Sequence, residues 1–217
     1  MAATCAGERA YHIFYNLLRG LPSDKLKELR LPSAKTTDYR YLAIGDPNPA
    51  KHDVAGWAEV CRSLDAQAVS PAEQWCWWQM VASILLLGNV VFDESKPDAA
   101  TVVPASKTSL TQCEALLGLA AGSFEKALTK RKIKAGAEFV EQDLKTPQAN
   151  DGRDALAKAI FSRLFDYLIA KINAALVAGG SQVRGTGVGA PQACPAAKAG
   201  RQRKLAFACS ICRCSRV

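Results

Sequence analysis

The sequence predicts a mainly α protein: a helical subdomain with a small surface β-hairpin, followed by a disordered tail. Three observations carry that expectation. Apolar residues recur at three- and four-residue steps from about Asp151 to Leu176, through Ala157, Ile160, Leu164, Leu168, Ile172 and Leu176, with Phe161, Phe165 and Ile169 widening the stripe. Ser70-Pro71-Ala72-Glu73 has the form of a capping box with proline in the first helical position, and it opens onto a run of apolar residues. Between Arg131 and Leu144 the period shortens to a loose alternation of Ile133, Phe139 and Val140 around Gly136, the pattern of a hairpin.

The elements follow in order. Tyr11, Phe14, Tyr15 and Leu18 lie on one helical stripe, which Gly20 and Pro22 close. A short second helix capped by Ser23 carries Leu26 and Leu29. After a loop rich in Pro, Asp and Tyr, the residues Trp57, Val60, Cys61 and Leu64 repeat the pattern. The capping box starts a fourth helix through Trp77, Met80, Val81, Ile84 and Leu87 to Gly88, expected as a left-handed C-cap, with Val90-Val91-Phe92 extended beyond it. Residues 93–107, with two prolines, read as a loop, and short helices follow over 110–119 and 123–130. The long helix over 151–176 packs at the centre.

Composition divides the chain into 1–177 and 178–217. Seven of the 28 basic residues and none of the 20 acidic ones fall in 178–217, so the first 177 residues carry 21 basic against 20 acidic groups. That balance does not ask for a nucleic-acid partner, despite the formal charge of +8. The tail also holds six of the 15 glycines and four of the eight cysteines, and with few large apolar groups it cannot offset its ordering entropy. Cys61, Cys76 and Cys113 sit among helix-patterned residues, which suits reduced core thiols in a cytosolic compartment. No stretch is apolar for long enough to serve as a signal peptide or a membrane span.

No catalytic constellation is visible. The two histidines, His12 and His52, lie in a helix and a loop, and the dipeptide Gly-Lys of a phosphate-binding GxxxxGK loop occurs nowhere. The GTGVG stretch of the tail follows no strand, so it does not read as a nucleotide loop. Cys194, Cys209, Cys212 and Cys214 lack the second spaced pair of a zinc site, and no metal is expected. What stands out is charge. Lys130, Arg131, Lys132 and Lys134 put four cations in five positions, followed by Glu138, Glu141 and Asp143. Such a hairpin is either a solvated surface or a protrusion that docks on an acidic protein, its charges setting on-rate and orientation.

Three segments resemble blocks of the myosin motor domain, in the family's order: GERAYHIFYNLL at 7–18, ILLLGNVVF at 84–92 and RDALAKAIFSRLFDYLIAKINAAL at 153–176. Phe161 stands where the family usually has Tyr, and Tyr167 where it has Trp. The resemblance implies that residues 7–177 form the helical upper half of the motor's actin-binding cleft. It further implies that the hairpin near 129–150 matches the family's cardiomyopathy loop, which contacts actin through Lys130, Arg131, Lys132, Lys134 and Glu138, and that 93–107 match another actin-side loop. Glu138 falls where myosins carry either an acid or a phosphorylatable Ser or Thr. The family's phosphate loop and both switches are missing, so ATP and Mg are implied for a complete motor but no cofactor for this chain. The expectation is a partial motor, cytoplasmic and cytoskeletal, whose partners are the actin filament and the remainder of the motor domain, with no membrane partner. The 178–217 tail departs from the family, as an intron read through or a shifted frame would. The alternative is a freestanding helical actin-binding module without ATPase activity.

Overall fold

A computed structural model describes residues 9–43, 52–95, 98–135 and 138–178. The tail expected to be disordered lies outside the described residues from 179 onwards, as do Cys5 and Gly136. Seven α-helices and one two-stranded antiparallel sheet are present among the described residues, in agreement with the predicted class.

The core is organised on α4 (Pro71–Gly88), which is buried almost all round from Trp77 onwards. A helix apolar on every side needs neighbours on every side, and α4 packs against α5 (Pro104–Leu117), α7 (Thr146–Ala178) and α1 (His12–Gly20). Burying each of Ile84, Leu85, Leu86 and Leu87, all at 1% exposure or less, contributes about 1.5–3 kcal/mol before entropy is counted. The Ser70 hydroxyl accepts the Glu73 amide at 3.3 Å, so the predicted cap is formed. The Glu73 carboxylate works at longer range as well, accepting from Tyr167 Oη at 2.7 Å and Lys171 Nζ at 3.0 Å on α7. The tyrosine at 167 therefore supplies a phenol tie between helices, besides meeting Trp77 edge-on.

α3 (Asp53–Ala66) rests on α1 through side chains that pack directly onto glycine positions. A Cβ on Gly20 would lie 2.2 Å from the Trp57 side chain, so only glycine lets the indole lie against the end of α1. Across the same contact Asp53, almost fully buried, accepts from Arg9 at 2.9 Å and from Arg19. Arg9 in turn lies over the Tyr15 ring, 4.0 Å from its centroid.

Several local expectations need correction. Ser23 does not cap α2 (Ser23–Glu28) but is its first helical residue, after an extended Pro22. Gly88 is not left-handed; it ends α4 in helical conformation and Asn89 is the cap. Its lack of a side chain serves a close approach, because a Cβ there would lie 2.6 Å from the Tyr41 ring. Residues 104–107 belong to α5 rather than to a loop, with Pro104 in the first turn, where its missing N–H costs nothing. α7 begins at Thr146, five residues before the expected start. Its stripe is buried only in part: Ala157, Ile160 and Leu164 are core, whereas Phe165 is 52% exposed and Ile169 is exposed as well. Phe161 lies between these groups, stacked on Tyr11 with ring centroids 4.3 Å apart.

Candidate functional site: a charge-segregated hairpin

The hairpin is β1 (Lys130–Ala135) paired with β2 (Glu138–Asp143). It grows directly from α6 (Ser123–Thr129), with no residue between Thr129 and the first strand position. The start of α6 is fixed by a buried carboxylate. Glu114 of α5 accepts the amides of Gly122 at 2.9 Å and Phe124 at 2.6 Å, satisfying donors that a helix start leaves free and placing negative charge where the helix dipole favours it. At the root, Leu144 N donates to Thr129 O at 2.7 Å, and Leu144 O accepts Ala100 N at 2.8 Å. One residue thus ties the hairpin both to α6 and to the 93–103 connection. That connection is itself pinned by the Phe92–Val102 bridge and by Thr146 Oγ1 donating to Asp93 O at 3.3 Å. An open cleft of about 440 Å³ lies at the root, lined among others by Ala100, Lys126, Thr129, Lys130 and Asp143.

All five residues singled out in the sequence stand on this element and are exposed. The register pairs Lys130 with Asp143, Arg131 with Gln142, Lys132 with Glu141, Ile133 with Val140, Lys134 with Phe139 and Ala135 with Glu138. Directly opposed residues of an antiparallel pair share a face and successive residues alternate, so the two faces differ in chemistry. One carries Lys130, Lys132 and Lys134 with Phe139, Glu141 and Asp143. The other carries Arg131 and Ile133 with Glu138, Val140 and Gln142.

The acids are not equivalent. Glu141 reaches back to Lys126 of α6 at 2.6 Å, and that hydrogen bond, helped by the charges of Lys126, Lys130 and Lys132, holds its carboxyl below the usual range. Asp143 sits 3.8 Å from Lys130. Glu138 makes no ion pair among the described residues. Arg131 is held by two hydrogen bonds to Gln142 Oε1, at 2.9 and 2.7 Å, while Lys132 and Lys134 extend into solvent. The three apolar residues that marked the hairpin in the sequence are exposed, Phe139 at 71%, Val140 at 47% and Ile133 at 38%, but the sequence assigned them no role at the surface. The alternation was visible, but that Ile133 and Val140 share a face while Phe139 lies on the other depends on a register that the period alone does not set.

His12 and His52 are both exposed, and among the described residues no group of three or more His, Cys, Asp or Glu could hold a metal. Cys61, Cys76 and Cys113 are free thiols, and burial pushes the Cys113 pKa up. No described helix is long and apolar enough to cross a membrane.

The frame that presents the hairpin, a largely buried α4 clamped between α5 and a 33-residue α7, is assembled from the segments that resemble a motor domain. Residues 2–188 match the family described as myosin head (motor domain). The chain belongs to the myosin motor-domain family. Among curated relatives, it is 36% identical over 180 residues to unconventional myosin ID of Drosophila melanogaster, covering 82% of this chain and 17% of that protein. It is 35% identical over 177 residues to myosin ID heavy chain of Dictyostelium discoideum, covering 78% and 16%. To unconventional myosin IC of Drosophila melanogaster it is 38% identical over 180 residues, covering 82% and 17%. This myosin chain therefore spans about a sixth of the length of those relatives.

Proposed function

We propose that this myosin segment belongs to a longer cytoplasmic, cytoskeletal motor and supplies part of its actin-contacting surface. The remainder of the motor domain is then its intramolecular partner. The observation that carries the reading is the hairpin: a strand pair, closely rooted in α6 and α7 and exposed at every described side chain, that presents Lys132, Lys134 and a Glu138 without an ion pair among the described residues, on a body of nearly balanced charge. Exposed charges of this kind steer association with an oppositely charged protein and set its orientation. Actin is the partner implied by membership of the family, and the Leu144–Ala100 hydrogen bond that joins the hairpin to the 93–107 segment supports a share in the contact for that segment. The direct test is co-sedimentation of the purified 217-residue chain with filamentous actin at low salt. Pelleting above the actin-free control is expected, and it should fade as salt is raised. A chain that stays in the supernatant at every actin concentration would contradict the reading.

Turnover of ATP belongs in this proposal to the longer motor. With no Gly-Lys phosphate loop in its sequence, the 217-residue chain should give no saturable signal with a fluorescent ATP analogue and magnesium. Micromolar saturation would show that it carries a nucleotide site of its own.

Glu138 is assigned the role of a fixed negative charge at the actin contact. In a complete motor carrying this segment, Glu138→Ala should lower actin activation of the ATPase several-fold and leave turnover without actin unchanged. Glu141→Ala should do much less, because Glu141 already spends its charge on Lys126. Equal losses from the two substitutions, or a fall in basal turnover with Glu138→Ala, would refute the assignment.

A further inference from the structure

We propose that the hairpin docks on actin through one face only, the Ile133–Val140 face, and that the lysine face serves to steer the encounter. The inference rests on the actin reading above and adds to it which side of the hairpin is covered, and by what chemistry.

The two faces differ in what already occupies them. On the lysine face, Glu141 turns back to Lys126 of α6 and Asp143 lies beside Lys130 across the strands, so its root half already has ion-pair partners, and its one apolar side chain, Phe139, is opposed by Lys134 rather than by another apolar group. A partner seated there would have to displace those ion pairs, with little net gain from exchanging one exposed pair for another. The opposite face carries no ion pair to the body among the described residues. Its centre is the cross-strand pair Ile133 and Val140, both more than a third exposed although directly opposed. Arg131 and Gln142 frame that pair on the root side, already ordered on each other at 2.7–2.9 Å, and Glu138 frames it at the tip.

Apolar centre with a polar rim is the anatomy of a protein contact, and ordering Arg131 in advance reduces the entropy lost on binding. The surface that fits is specific in kind: an apolar spot on the filament with a basic group opposite Glu138 and an acceptor opposite Arg131. Lys132 and Lys134, on the other face, act at a distance on the acidic filament. Their effect is on the rate of encounter and is screened by salt. An unpaired Glu138 on the docking face, with Glu141 and Asp143 on the other, also gives the physical reason why the three acids are not interchangeable.

Salt separates the two contributions. Actin co-sedimentation of the 217-residue chain is measured at about 25 mM and about 200 mM salt for the wild type, for Ile133→Ser with Val140→Ser, and for Lys132→Ala with Lys134→Ala. All four side chains are exposed, so the fold is not at stake, and the circular dichroism spectra should superimpose. The serine pair should weaken binding about tenfold at both salt concentrations, because loss of apolar contact is not screened. The alanine pair should weaken it at low salt and fall within about twofold of the wild type at high salt. Serine substitutions without effect, or a lysine loss that persists at high salt, would overturn the face assignment while leaving the actin contact standing. A wild-type chain that does not sediment with actin at all would overturn both.

Discussion

Arg153→Met is expected to cost this protein about 3–5 kcal/mol, the range for breaking a buried charged network by removing one partner. Arg153 is fully buried on α7. Its Nε donates to Asp154 Oδ1 at 2.7 Å and its Nη1 to Val90 O at 2.8 Å, just past the end of α4. The same Asp154 oxygen accepts Tyr41 Oη at 2.6 Å, and the Tyr41 ring is the one that lies against Gly88. Three segments far apart in sequence thus meet at one guanidinium. Burial alone would raise the Asp154 pKa, but the hydrogen bonds from Arg153 and Tyr41 outweigh it and hold the carboxyl below its usual value. Methionine retains most of the volume and none of the donors, so Val90 loses its partner and Asp154 its counter-charge. For an ordered region of this size, the melting temperature should fall by roughly 10 °C. Arg153→Lys should recover part of the loss, since one ammonium can hold the charge but not reach both acceptors in the fork geometry. A fall of less than about 2 °C with Met would show that the network contributes little beyond its volume.

The second large effect belongs to Asp53. It accepts from both Arg9 and Arg19, and Asp53→Ala removes a buried acceptor from both guanidinium groups at the α1–α3 contact, at a cost of about 3 kcal/mol. Burial works to raise the Asp53 pKa, but hydrogen bonds from Arg9 and then Arg19 prevail and lower it. A carboxyl whose folded pKa is depressed contributes stability that is complete above its unfolded pKa, near 4, and is lost as pH falls through the folded value. Acid denaturation of the wild type should therefore include a component below about pH 4 that is missing in Asp53→Asn. The measurement is the pH dependence of the urea midpoint for both proteins. Parallel curves would mean that Asp53 titrates alike in the folded and unfolded states.

Much of this architecture was legible because the strongest signals are local. A serine, a proline and a glutamate in the right order start α4, and alternation marks the hairpin. The errors fell where tertiary contacts override local preference. The first two turns of α7 include Asn150, Asp151 and Gly152, poor helix formers that gave no reason to extend the helix back to Thr146. The turn is held from outside, by Thr146 on Asp93 and by Arg153 on Val90. Gly88 invited a left-handed cap because nothing local announces that a tyrosine 47 positions earlier will occupy the space of its missing side chain. In the candidate site the charged residues could be named, but not sorted. Which acid is free and which is spent follows from the pairing of Ala135 with Glu138, set by the two residues between the strands.

The way the hairpin is rooted has a mechanical consequence. β1 continues α6 without an intervening residue, and only Leu144 and Lys145 separate β2 from α7. A tether of that length holds almost no slack, since two extended residues span about 7 Å at most. A force applied at the tip is therefore delivered along two covalent lines at once, one into a helix braced by Glu114 and one into the longest rod of the fold. Tension along the strands is carried by the backbone into both helices, whereas a twist about the hairpin axis loads the Leu144 hydrogen bonds and the exposed Glu141–Lys126 pair. A load borne at the hairpin tip is therefore expected to reach α6 and α7 through the backbone, with no intervening loop to absorb it.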